Sequence, residues 1–283
     1  MADIRSVLLD RAAGLGPNRQ HLLHPGWRRH VVPAGVTFLM VAVFVYALDR
    51  FGFSFARIWN GLEQLGFIIS FMFPPDAKGN FPGFAKALGE TVAIALLGTL
   101  IGAILAFPLS LLAARNVMTN RVVQFMSRRL FDGVRGIDTL IWALIYVNVV
   151  GLGPFAGVLA IASSDMAGFA KVYSEAMEAT EKNASEGVRS TGGRRWDEIT
   201  FGLLPQVMPV LISQILYFFE SNTRSATIIG IVGAGGIGLF LSDTIRTGEW
   251  QQVSVIILMI LVVVSVIDFI STRLRFAIIG KRG

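Results

Sequence analysis

Six stretches of the chain run eighteen or more residues without a charge: Val31 to Leu48, Thr91 to Ala114, Thr139 to Ser164, Ile199 to Phe219, Ser225 to Ser242, and Trp250 to Ile267. A bilayer core of about 30 Å needs about 20 apolar residues per helix, so each stretch is a candidate span. Short charged segments separate them, which predicts an all-α polytopic membrane protein.

Counting every stretch as one crossing would put the basic segment Asp165 to Glu198 outside, against the positive-inside tendency. The third stretch contains Gly151-Leu152-Gly153-Pro154, where two glycines and a proline without an N–H interrupt a helix, so it is split there. The glycine-rich stretch Ser225 to Ser242 then must not cross completely if the basic tail is to stay inside. The predicted spans are 31–50, 86–114, 128–150, 155–179, 200–222 and 251–272, with both termini cytoplasmic. Residues 1–30 form a cytoplasmic tail and 31–283 the transmembrane domain. The polar lower half of the fourth span is expected to leave the membrane. Thirty residues precede the first span without a cleavage-site pattern, so it does not read as a signal peptide.

Composition agrees: 53% of the 283 residues are hydrophobic, 16% are charged and the mean hydropathy is +0.62, which excludes an ordinary soluble enzyme. The chain has no cysteine, so disulfides, thiolate metal sites and thiol catalysis are excluded. Of its 25 Lys and Arg, 19 fall on the inner side in this topology. That asymmetry accounts for the net charge of +6 without nucleic acid. His21, His24 and His30 lie in the basic tail with no carboxylates nearby to complete a metal site.

Between the first two spans, Phe51 to Ala85 reads as an interfacial loop with short helices, broken by Phe73-Pro74-Pro75 and Phe81-Pro82. The inner segment 181–205 reads as a short helix with Ser185 as N-cap and Glu186 in its first turn, a Gly192-Gly193 break, and a helix entering the membrane at Leu203-Leu204-Pro205. A capped surface helix held between two spans suits either force transmission to another protein or a solvated loop.

Glu186-Gly187-Val188, Gly192 six residues beyond the glutamate, and Leu204-Pro205 a further twelve on resemble the EAA loop of permeases of binding-protein-dependent ABC importers. Gly187 and Val188 stand where that motif usually has alanines, and Gly202 where it usually has isoleucine. Gly151-Leu-Gly-Pro-Phe-Ala-Gly-Val-Leu-Ala160, Leu204-Pro-Gln-Val-Met-Pro209, Phe219-Glu-Ser-Asn222, Arg224-Ser-Ala-Thr227 and Val232-Gly-Ala-Gly-Gly-Ile-Gly238 are similar to the phosphonate-type permease. Phosphite and hypophosphite permeases share the likeness.

The resemblance implies a MetI-like fold and a pore of two permease copies, a homodimer. It also implies two cytoplasmic ABC ATPase subunits that bind ATP and Mg, and a periplasmic substrate-binding protein. The chain itself would bind no cofactor and catalyse no covalent step. The loop from about Ala184 to Gly193 is then the coupling helix, with Glu186, Gly187, Val188, Gly192, Leu204 and Pro205 as its ATPase-coupling residues. Alternating access driven by ATP is the implied mechanism.

Two further features carry candidate chemistry. Gly233-Ala234-Gly235-Gly236-Ile237-Gly238 matches G-x-G-x-x-G, but an apolar run stands where that fingerprint needs an acidic residue, so no nucleotide is implied. Gly233, Gly235 and Gly236 permit close helix packing or offer amides to an anion in the pore. Glu220 and Arg224 are spaced to pair on one helix as an outer-interface salt bridge. Alternatively Arg224 attracts a phosphonate oxyanion, helped by Ser221, Asn222, Ser225 and Thr227. Lys171 and Glu175 are spaced to pair on their own helix, while Asp138 and Asp268 read as interfacial anchors. No phosphate-loop motif occurs, so energy must come from a partner. A membrane enzyme using Glu220, Asp268 or Asp138, and an ion-coupled carrier, are the competing classes.

Overall fold

The computed structural model describes residues 28–280, all of its regular elements being helices. Residues 1–27, with most of the expected N-terminal tail, His21 and His24, lie outside the described residues. The chain divides into a unit ending at Phe67 and a unit beginning at Ile68. The first holds α1, Arg28–Arg50, and most of α2, Phe55–Phe71. None of the residues of α2 is buried in the chain. The expected loop of short helices is therefore one helix of 17 residues.

The second unit runs α3, Phe81–Ala113; α4, Arg121–Arg135; α5, Thr139–Val150; α6, Pro154–Glu178; and α7, Lys182–Ser190. A helical turn, Arg195–Asp197, and a π-helical stretch, Glu198–Leu203, lead into α8, Leu204–Ile231. Helices α9, Ile237–Thr247, and α10, Trp250–Ile279, complete it. Among the described residues, five helical segments are long and apolar enough to cross a membrane, and a sixth is reached by counting α4 with α5.

That sixth span corrects an expectation. Residues 128–150 are not one helix: α4 and α5 meet at 83°. The bend is written locally, since Asn120 caps α4 by accepting from the amides of Val122 and Val123, and Asp138 caps α5 by accepting from Leu140 N at 2.8 Å. Each cap satisfies orphan donors of a helix start. Asp138 is thus a helix cap rather than a bare anchor. Helix α4 buries Gln124 and Phe131 and carries Arg121, Arg128, Arg129, Asp132 and Arg135, a surface helix by composition.

The break at Gly151–Pro154 falls where the sequence predicts it. Gly151 and Gly153 have φ of +94° and +137°, and Pro154 opens α6. Helices α3 and α6 pack most intimately, through Gly98 and Gly102 of α3. A Cβ on Gly98 would lie 2.7 Å from Ile161 Cβ, and one on Gly102 would lie 3.1 Å from the Ala162 carbonyl oxygen. Small residues four apart let the two backbones close up, the usual means of helix association in lipid. Three apolar clusters fill the unit, centred on Phe169 and Tyr173, on Ile94 and Ile161, and on Phe84 and Ile256.

Candidate functional site: coupling helix, glycine turn and ion cluster

In the second unit, α7 packs on the π-helical stretch that leads into α8. It begins at Lys182, so Ser185 lies inside the helix and is not its cap. Its work is packing: a Cβ on Gly202 would lie 2.8 Å from Ser185 Cα. Only glycine lets α7 sit this close on the π-helical stretch, which explains the departure at Gly202. Glu186 and Gly187 are exposed, and Val188 is half-buried. The helix ends because Gly192, with φ of +85°, turns the chain so that Gly193 N donates to the Val188 carbonyl at 3.2 Å. Leu204 and Pro205 form the first turn of α8, where a missing N–H costs nothing.

Behind α7 an open cavity of about 350 Å³ is lined by Asn116, Glu178, Ser185, Glu186, Arg195 and Glu198, among others. Its walls are tied together by charge. Glu178 Oε1 accepts from Arg128 Nη2 at 2.5 Å and from the Arg115 amide at 2.6 Å. Arg195 donates to Thr119 Oγ1 at 2.5 Å and to the Val117 carbonyl. Lys171 does not pair with Glu175, as its spacing suggests, but crosses to Asp132 Oδ1 at 2.6 Å.

The glycine run lies deep in the bundle as a turn between α8 and α9. Gly233, Gly235 and Gly236 have φ of +94°, +85° and +78° and are buried. A helix, not a strand, precedes them, as the rejection of a nucleotide site requires. Close packing accounts for them. A Cβ on Gly235 would lie 2.8 Å from Pro154 N, and one on Gly236 would lie 2.4 Å from Thr91 Oγ1. Two amides at the end of the turn have side-chain acceptors: Gly236 N donates to Glu90 Oε1 at 2.9 Å and Ile237 N to Thr91 Oγ1 at 2.8 Å. A cavity of about 310 Å³ opens beside Glu90, Leu152, Gly235, Gly236 and Phe240.

The structure divides the remaining candidate residues into two sets. Asn222 is buried, and its amide donates to Thr99 Oγ1 at 2.8 Å and to Asp165 Oδ2. Its donors face the interior, locking α8 to α3 and α6. The hydroxyls of Ser225 and Thr227 turn back to the carbonyls of Ser221 and Thr223. Arg224 is exposed on the side left uncovered, with Tyr217, Ser221 and Ile228 along the same face.

Arg224 pairs with Glu220 at 3.4 Å, as the spacing of the two predicts. Glu220 also accepts from Arg275 Nη2 at 2.9 Å. Arg275 lies beyond the apolar run of α10 that ends at Ile267, in its basic end. Glu220 is therefore level with that basic end, and two residues from the Asn222 contact midway along α3 and α6. The helix that carries the pair is longer than the predicted span 200–222, running continuously from Arg195 to Ile231.

A family model described as "Binding-protein-dependent transport system inner membrane component" matches residues 106–280. The chain belongs to this family. It is 39% identical over 255 residues to the putative phosphite transport system permease protein HtxC of Stutzerimonas stutzeri, covering 90% of this chain and 89% of that one. It is 34% identical to the phosphate-import permease protein PhnE of Mycolicibacterium smegmatis, over 96% of this chain and 49% of that one. The inward-facing MetNI methionine ABC transporter has a similar fold, with a TM-score of 0.61 and 19% identity over 69% of this chain and 95% of that one.

The protein is thus a multi-pass inner-membrane permease subunit of an ABC importer, with a MetI-like fold. Three of this permease's interior polar residues escaped the sequence reading: Glu90, Thr91 and Asp165. A signal was present, since Glu90 immediately precedes one uncharged stretch and Asp165 immediately follows another. Ionisable groups at such borders are costly to bury unless a partner waits for them. Their partners are remote in sequence.

Proposed function

We propose that this permease carries a phosphorus oxyanion, phosphonate in the first instance, inward across the inner membrane as one half of a two-fold pore. Two cytoplasmic ATPase subunits holding ATP and Mg drive it, and a periplasmic binding protein delivers the solute. The chain binds no cofactor of its own. Both termini and α7 face the cytoplasm, a topology supported by the concentration of Lys and Arg in the segments at that end. A second copy of this chain forms the other half of the pore. The phosphorus chemistry is supported by the blocks around Gly151, Leu204, Phe219 and Val232 and by the names of the relatives.

The observation that carries this reading is the mounting of α7. A nine-residue helix with an exposed Glu186 is seated through Ser185 on Gly202, directly before α8. A push on α7 is delivered to α8 because no side chain cushions the contact, and packed interiors transmit displacement. Glu186, Gly187, Val188, Gly192, Leu204 and Pro205 are its coupling residues. Arg224 and Ser221, on the uncovered face of α8, meet the solute. Arg224 suits an oxyanion because a guanidinium presents paired donors to it, and a charged group on an apolar helix is stable only toward water or protein.

The test is uptake of labelled methylphosphonate by the reconstituted transporter, alongside its ATPase rate. Glu186→Ala is expected to lower uptake at least about tenfold while the complex inserts and purifies normally. Unchanged uptake would sink the coupling role. Phosphite is the second reading, favoured by the name of the relative at 39% identity. Ligand titration of the binding partner with methylphosphonate and phosphite separates the two. Mass measurement of the purified pore tells two identical copies from a pair with a different permease.

A further inference from the structure

The ion cluster on α8 contains two guanidiniums and one carboxylate, and they are shared unequally. Glu220 is nearly buried, its side chain 11% exposed, while Arg275 is 24% and Arg224 is 50% exposed. One oxygen of Glu220 takes a well-formed bond from Arg275 at 2.9 Å, and Thr272 Oγ1 and the Tyr217 ring hold that same guanidinium from other sides. The other oxygen faces both Nη atoms of Arg224 at 3.4 Å, longer than a good charge-assisted bond. The cluster's surplus positive charge therefore lies on Arg224, the member that the chain leaves open.

We infer that Glu220 is the positioning residue that keeps oxyanion binding at Arg224 weak enough for release, with Arg275 anchoring Glu220 so that it cannot fully neutralise Arg224. This rests on the proposed contact between Arg224 and the phosphorus oxyanion. A transit site must be favourable enough to fill and weak enough to empty. With Glu220 held 3.4 Å away, an arriving oxyanion exchanges two long contacts for two short ones, and the carboxylate then repels it at close range. Arg275 fixes the balance from the last helix. Were Glu220 free to swing onto Arg224, the guanidinium would be fully paired and the oxyanion would find no donor. The two neighbours of Arg224 thus act in opposite directions: the carboxylate weakens binding, and the second guanidinium protects it.

That opposition is the test. The whole reconstituted transporter is titrated with methylphosphonate without its binding protein, and uptake is measured with it. Glu220→Gln is expected to tighten binding roughly tenfold and to lower the maximal uptake rate, the KM for uptake falling with it. Arg275→Gln is expected to weaken binding by a similar factor, with KM rising. Arg224→Gln should abolish both binding and uptake. Loss of assembly in both neighbour variants, or the same direction of change in both, would overturn the inference and leave a structural ion cluster. Should Glu220→Gln alone fail to assemble, the binding shift of Arg275→Gln still decides. If Arg224→Gln transports normally, the oxyanion contact itself is wrong. If it does not, while the neighbours leave binding unmoved, only the role of Glu220 falls.

Discussion

Two glycine-rich regions of the permease use the same residue for opposite purposes. Around α7, Gly187 and Gly192 have nothing within 4 Å of where a Cβ would stand. In the turn between α8 and α9 and the first residues of α9, Gly235, Gly236 and Gly238 are crowded by backbone or by side-chain oxygens. The first region is open because no other part of the chain packs against these two glycines. The second is closed because the chain has filled it with itself, and Glu90 and Thr91 accept from two amides at its end. Gly202 joins the two designs: a crowded glycine on which the open helix is seated through Ser185.

Substitutions can break or sharpen this contrast. The largest effect is expected in the turn: in Gly238→Ala the new methyl would sit 2.0 Å from the Thr227 carbonyl oxygen. Helices α8 and α9 must separate to admit it, at a cost of about 3 kcal/mol. Thermal unfolding in detergent should show the purified protein markedly destabilised, and an unshifted midpoint would mean that the turn is not closed. Next comes Asp165→Ala, which leaves the buried Asn222 amide with Thr99 alone; a loss of about 1–3 kcal/mol follows from an unsatisfied buried donor. Asp165→Asn, which keeps an acceptor there, should lose less, so the difference between the variants measures the hydrogen bond. The smallest effect is expected at Gly187→Ala. An exposed helical glycine with empty space around it gains about 0.5–1 kcal/mol from alanine, visible as a slightly higher midpoint. Loss of stability there would show that the outer face of α7 is packed after all.

Much of the fold was legible because the membrane makes hydropathy a strong signal. Spans must be long, apolar and helical, so their number and the break at Gly151–Pro154 follow from composition and punctuation alone. The interior polar contacts were not legible. Lys171 and Glu175 have the spacing of a helical pair, yet Lys171 reaches Asp132 on another helix. Asn222 reads like a pore residue beside Arg224, yet two positions along a helix turn a side chain by about 200°, onto another face. Of the candidate site, the segment 181–205 is readable in outline as a short helix, a glycine break and a second helix, because those signals are contiguous. Its seating on Gly202 is not, and Ser185 lies inside α7, whose N-cap position is Glu181.

By itself the sequence determined a membrane-embedded helical bundle, the direction its basic segments favour, and a short helix between two spans with the motif of a coupling element. These depend on local composition, which each segment carries wherever it packs. Only the tertiary structure decided that two amides at the end of the glycine turn donate to Glu90 and Thr91, that Asn222 faces Asp165, and that Arg275 arrives at Glu220 from the final helix. Such assignments depend on which helices become neighbours and on their rotation about their own axes. Uniformly apolar stretches say little about either, since lipid and protein interior are equally apolar surroundings.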